Sequence, residues 1–153
     1  MSEEEKQGIS INFGLKFFEI LDYVFDNPKE EIEPKDIRYK VQFKPNADLD
    51  NETFSIGFKI ISQLGDNEGK QLGSIHTRTT YSLSNMDDLI NEDGHFVLPK
   101  GLAITLLSIA LSTTRGALVA KSENNILSKV VLPLTDPKEM YEASPLKGEI
   151  EIK

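Results

Sequence analysis

The stretch 99-PKGLAITLLSIALSTTRGALVAK-121 decides how this chain folds. It reads as a single helix with hardly any polar face. Leu102, Leu106, Ile109 and Ala110 lie on one side, and Ile104, Leu107, Leu111 and Leu118 on another. No charge occurs between Gly101 and Thr114. A helix on the surface of one small domain carries a charged stripe, and one that is apolar all round is buried on several sides. The rest of the chain is mostly strands, which cover one side. The other side therefore needs a partner subunit, a client or a ligand. The same stretch is long enough to span a membrane, but Ser108, Ser112, Thr113, Thr114 and Arg115 fall inside the window and a mid-span charge is costly, so stable insertion is not expected.

Outward from this helix, the segments before it alternate. Ile9, Ile11, Phe13, Leu15 and Phe17 alternate with polar residues, then Phe18, Ile20 and Val24 place apolar groups on the other face. That phase change predicts a bulge near Phe17-Phe18 or a strand covered on both faces, ending at Asn27-Pro28. Ile37, Tyr39, Val41 and Phe43 alternate with Arg38, Lys40, Gln42 and Lys44, and Pro45 is expected to end this strand. Phe54, Ile56, Phe58 and Ile60 mark a third strand. Ile75, Thr77, Thr79, Tyr81 and Leu83 mark a fourth, over about 71–83. Short connections predict an antiparallel meander for the last three, with the face bearing Tyr39, Val41, Phe43, Phe54, Ile56 and Phe58 against the helix. Pro99 suits the helix's first turn. Beyond the helix, Ile126-Leu127 and Val130-Val131-Leu132 read as an extended apolar piece. Asp136-Pro137 reads as the cap and first turn of a short second helix, PKEMYEA, and 145–153 as a loose strand or disordered tail. The reading is one domain over 9–144, with a flexible N-terminus at 1–8 and a tail at 145–153.

The chain has 153 residues, a net charge of -8 and no cysteine. The charge disfavours nucleic acid and favours basic partners. Without cysteine there is no disulfide and no thiolate metal site. MSEEEKQG lacks a basic region followed by an apolar core, so it does not read as a signal peptide, and a cytoplasmic location is expected.

Chemical motifs fail on their spacing. Gly65-Asp66-Asn67-Glu68-Gly69-Lys70 is one residue short of a phosphate-binding loop and lacks the following Ser or Thr; it reads as a charged hairpin turn. Asp48-Leu49-Asp50-Asn51-Glu52 lacks the glycine and distal glutamate of a calcium loop. His76 and His95 have no zinc spacing. Ser112, Thr113 and Thr114 have no base near them and are expected to bond back to helix carbonyls. Arg115 is expected to pack its stem and pair its head with a carboxylate at a subunit edge. No catalytic residue, metal or cofactor is expected, and the chain does not read as an enzyme.

Three features together resemble the SecB family of export chaperones. Asp22-Tyr23-Val24-Phe25-Asp26-Asn27-Pro28 is similar to the family's pattern of Asp, two residues, Phe, an acid, one residue, Pro. Three antiparallel strands and one long apolar helix follow. Then Val131-Leu132-Pro133-Leu134-Thr135-Asp136 resembles the family's apolar loop around a proline. The resemblance implies an α+β fold, a four-stranded antiparallel sheet with one long helix and a short second helix on one face. It also implies a homotetramer built as a dimer of dimers, or a dimer, with Leu102, Leu106, Ile109 and Thr113 at the interface. An ATP-independent holdase would bind unfolded clients in apolar grooves, with Tyr39, Phe43, Phe54, Phe58, Leu102 and Leu106 as candidate contacts. In the export branch an acidic outer sheet face docks the translocation ATPase, and Asp22 and Asp26 fall where the docking acids lie. The second helix is shorter than the family's and the tail PLKGEIEIK is not its acidic tail, so a chaperone for an antitoxin, a dedicated partner-binding protein and an oligomeric scaffold are the alternatives.

Overall fold

The computed structural model describes residues 11–65, 70–130, 132, 136–147 and 150. Four strands form one antiparallel sheet: β1 (Phe13–Phe25), β2 (Ile37–Asp48), β3 (Thr53–Leu64) and β4 (Gln71–Leu83). Their order is β1-β4-β3-β2. The last three strands are the expected meander, and β1 completes the sheet beside β4. The long helix, α1 (Lys100–Lys121), lies over β3 and β4, and a short α2 (Pro137–Glu142) packs on it. This is the α+β architecture that the SecB resemblance implies. The expected flexible segment 1–8 and most of the apolar loop around Pro133 lie outside the described residues.

Apolar alternation builds the core. Val41 faces Ile60, Phe43 faces Phe58, and Ala47 faces Phe54 across β2 and β3; Phe54, Phe58 and Ile60 face Tyr81, Thr77 and Ile75 across β3 and β4. The rings of Phe43 and Phe58 sit 5.4 Å apart. Against this face α1 buries Ala103, Leu106, Leu107, Ala110, Leu111, Thr114 and Leu118. Two polar contacts fix the helix's rotation. The Tyr81 hydroxyl donates to the Leu106 carbonyl, and the Thr77 and Thr114 hydroxyls meet at 2.8 Å. By length and composition α1 could cross a membrane, but here its buried face is the cover of the sheet.

Several local expectations change. β2 continues through Pro45 to Asp48, because β2 is an edge strand and a missing N–H on its free side disrupts no ladder. Residues 126–129 form a 3-10 turn, not an extended piece; the Asn125 side chain caps it by accepting from the Leu127 N–H at 2.9 Å. Pro99 is the residue just before α1 rather than inside its first turn. Asp136 caps α2 as expected, its carboxylate accepting from the Lys138 N–H at 2.9 Å. The tail is not wholly loose: Leu146 is fully buried and Ile150 exchanges backbone bonds with Phe96.

β1 carries two register shifts, one between Leu15 and Phe17 and one between Ile20 and Asp22. The first is the predicted bulge, and the second was not expected. Each extra residue switches the parity of the alternation, so the helix-side positions run Phe13 and Leu15, then Phe18 and Ile20, then Tyr23 and Phe25. The strand sits very close to β4 at one point. A Cβ on Gly73 would lie 2.3 Å from the Val24 carbonyl oxygen, so only glycine fits there.

Candidate apolar interface and outer sheet face

The cover over the sheet is uneven. Beyond α1, residues 126–130 and Leu132 run back beside the helix. Val130 and Leu132 lie against Ser112, Arg115, Gly116 and Val119, and the Tyr39 hydroxyl of β2 donates to the Val130 carbonyl at 3.2 Å. Val130 thus reaches Tyr39 of β2, and the turn Pro145–Lys147 also contacts β2. At about 3.6 residues per turn, Leu102, Ile109, Thr113 and Ala117 fall on the opposite flank of α1, toward β1, and all four are half-buried.

Over most of β1 no described residue forms a roof. Among the described residues seven large apolar side chains are exposed, and six of them belong to β1: Phe13, Leu15, Phe17, Ile20, Leu21 and Val24. The register places Phe13, Leu15, Phe18 and Ile20 on the helix side of the sheet, opposite Leu83, Tyr81, Thr79 and Thr77 of β4. These residues extend the core face beyond the helix. Leu15 is 54% exposed and Ile20 41%. Only the C-terminal part of β1 is tied down. The Tyr23 hydroxyl contacts the Ser122 hydroxyl at 2.8 Å and accepts from the Asn125 amide at 2.9 Å, and the Lys121 ammonium lies over the Tyr23 ring. β1 is also a sheet edge. Among the described residues nothing pairs with its outer side, so it offers a row of free backbone donors and acceptors beside an apolar strip.

The candidate residues divide accordingly. Phe54, Phe58 and Leu106 have no exposed surface; they are the protomer's own core, and neither a client nor a second subunit reaches them in this fold. Tyr39 and Phe43 are half-buried on β2. Burial, and then the nearby Tyr23, push the Tyr39 phenol up to about 12. Burial also pushes the Tyr81 phenol well above its ordinary value. Leu102, Ile109 and Thr113 line the β1-facing flank of the helix; the Thr113 hydroxyl bonds back to the Ile109 carbonyl at 2.8 Å, as expected of it, while Thr114 instead meets Thr77. The sequence missed the β1 residues as surface. Their alternation reports a sheet face but not how far the helix covers it.

Within the protomer Arg115 turns to the backbone. Its guanidinium donates to the Leu132 carbonyl, and no carboxylate pairs with it among the described residues. His76 is exposed on the outer face of β4 and His95 lies in the turn closed by Asn91. Among the described residues no group of three His, Asp or Glu is placed to hold a metal.

Asp22 and Asp26 are both exposed, four residues apart at the C-terminal end of β1. Asp22 faces outward opposite His76, whereas Asp26 lies past the end of β1, its N–H donating to the Leu72 carbonyl. The outer face beyond β1 is not acidic. Arg38, Lys40 and Lys44 of β2, Lys59 of β3 and Arg78 of β4 all project from it, unlike the acidic outer face of the export branch.

No family model matches the chain, and no curated protein matches its sequence. Among solved structures, a SecB-like chaperone from Mycobacterium tuberculosis in complex with a peptide from the HigA1 antitoxin matches over 81% of this chain and 87% of that chain, at 12% identity and a TM-score of 0.49. A protein of unknown function from Streptococcus agalactiae matches over 83% of this chain and 99% of that chain, at 15% identity and a TM-score of 0.32. Likenesses at this level carry no argument about what this chain does.

Proposed function

We propose that this protein is a SecB-type chaperone that holds unfolded or extended polypeptide segments without nucleotide. The observation that carries this reading is the unroofed β1 strip, Phe13, Leu15 and Ile20 on the helix side of an edge strand. An extended segment seated there gains backbone bonds from the strand edge and apolar contact from the strip. The helix flank of Leu102, Ile109 and Thr113 walls the strip on its inner side. Without client the same edge pairs with a second copy, because β1 is self-complementary under twofold symmetry, so a homo-oligomer that client displaces at this edge is part of the proposal. A cytoplasmic location accompanies it.

A role in export is not part of this reading. The cations over the outer face argue against a surface built to dock a basic site on a translocation ATPase. A dedicated partner, such as an antitoxin segment, is the narrower form of the same activity. Light scattering distinguishes them. The general holdase delays aggregation of several unrelated unfolded proteins at stoichiometric ratio without ATP, and Leu15→Ser with Ile20→Ser weakens the delay. Protection of none of them sinks the general reading.

A further inference from the structure

The outer face of the sheet distributes charge against the balance of the whole chain. Two cross-strand rows show it. One reads Lys44, Gly57, Arg78 and Glu19 across β2, β3, β4 and β1; the next reads Gln42, Lys59, His76 and Asp22. Lys40 begins the row after that, opposite Ile61. The chain has 25 acidic residues against 17 Lys and Arg, yet the outward positions of β3 and β4, and those of β2 as far as Asn46, hold no carboxylate. Lys40, Lys44 and Lys59 are exposed and have no ion pair among the described residues; Arg78 takes Glu19 at 3.0 Å. Lys59 is diagonal to both Lys40 and Lys44, close enough for the three ammonium groups to repel one another.

We infer that this face docks an acidic, extended segment of a partner polypeptide. The rows are two residues apart, about 6.8 Å along the strand, which is also the spacing of side chains i, i+2 and i+4 on an extended chain. Carboxylates at alternate positions of such a segment meet Lys40, then Lys59, then Lys44 and Arg78. Gly57 leaves the floor between Lys44 and Arg78 without a side chain, so the segment can lie close. Nucleic acid fits less well. The outward positions of β2, β3 and β4 hold a single aromatic ring, the His76 imidazole, and no Phe, Tyr or Trp, so successive bases have no stacking platform, and Glu19 and Asp22 border the patch with the wrong sign for a longer polyanion. This inference does not rest on the chaperone reading, whose surface is the opposite face.

The test is fluorescence anisotropy with the full chain and a labelled eight-residue peptide of alternating Glu and Ser. Saturable binding at 50 mM salt, weakened at least tenfold at 300 mM, is expected, with no binding of the peptide carrying Lys for Glu. Lys40→Gln with Lys59→Gln weakens binding about tenfold or more, Gly57→Glu weakens it similarly, and Lys138→Gln on the helix layer leaves it unchanged. A Cβ at Gly57 makes only ordinary contacts, 3.7 Å from the Thr77 carbonyl oxygen, so that variant folds. No binding at millimolar peptide, equal binding by the Lys40/Lys59 variant, or equal affinity for an eight-nucleotide oligo-dT overturns the inference.

Discussion

Leu15→Ser separates a core residue from an interface residue. Leu15 is on the core side of the sheet but 54% exposed, so about half of its side chain is still in water in the protomer. Full burial of a leucine side chain is worth about 1.5–3 kcal/mol, so covering the remaining half contributes about 1 kcal/mol per copy. In a twofold dimer through β1 the residue is counted twice, so the substitution weakens association by about 2 kcal/mol, roughly 30-fold in Kd. Within the protomer only the half already buried is lost, about 1 kcal/mol. The assay is sedimentation equilibrium for association together with urea unfolding at a concentration where the chain is monomeric. The reasoning fails if association is unchanged, or if protomer stability falls by as much as a fully buried leucine would cost, about 3 kcal/mol or more.

Three further outcomes follow from the packing. The Thr79 hydroxyl is buried without a partner among the described residues, so Thr79→Val raises stability by about 1 kcal/mol, whereas Thr77→Val strands the Thr114 hydroxyl and lowers it by about 1–3 kcal/mol; thermal unfolding checks the opposite signs. Gly73→Ala drives a methyl into the Val24 carbonyl and loosens β1 from β4, seen as faster amide exchange in β1 and a loss of about 1–3 kcal/mol. Tyr39 and Tyr81 hold their protons more tightly in the fold than in the unfolded chain, so their contribution is complete below pH 10 and is lost as pH rises above it, for Tyr39 as pH approaches about 12. Urea midpoints that fall from pH 9 to pH 11.5, and fall less in Tyr39→Phe, are expected; a midpoint independent of pH in that window contradicts the assignment.

What was legible in the sequence was what depends on local period. Phe54, Ile56, Phe58 and Ile60 alternate, and they are the floor of the core. The helix was legible from its unbroken apolar run and Asp136-Pro137 from its capping chemistry. What was not legible depends on how the layers lie over one another. Phe54 and Phe13 have the same residue type and the same kind of alternation, yet one lies under α1 and the other beyond its edge. Pro45 looked like a strand end because its tolerance depends on β2 being an edge. Met86, Leu89, Phe96 and Ile150 are buried but lie in short, irregular segments where no sustained period announced them. The basic outer face was half visible in Arg38, Lys40 and Lys44. Its extension through Lys59 and Arg78 depends on cross-strand register, which one strand's sequence does not carry.

The most direct test of the account is site-specific photocrosslinking to a chemically unfolded client, with the crosslinker at position 15 on the unroofed side of β1 and, as control, at position 138 on the helix layer. The account predicts client crosslinks from position 15, formed without nucleotide and suppressed by excess unlabelled client, and few from position 138. Crosslinks from position 15 that join only two copies of this chain, while the client is captured elsewhere or not at all, contradict it.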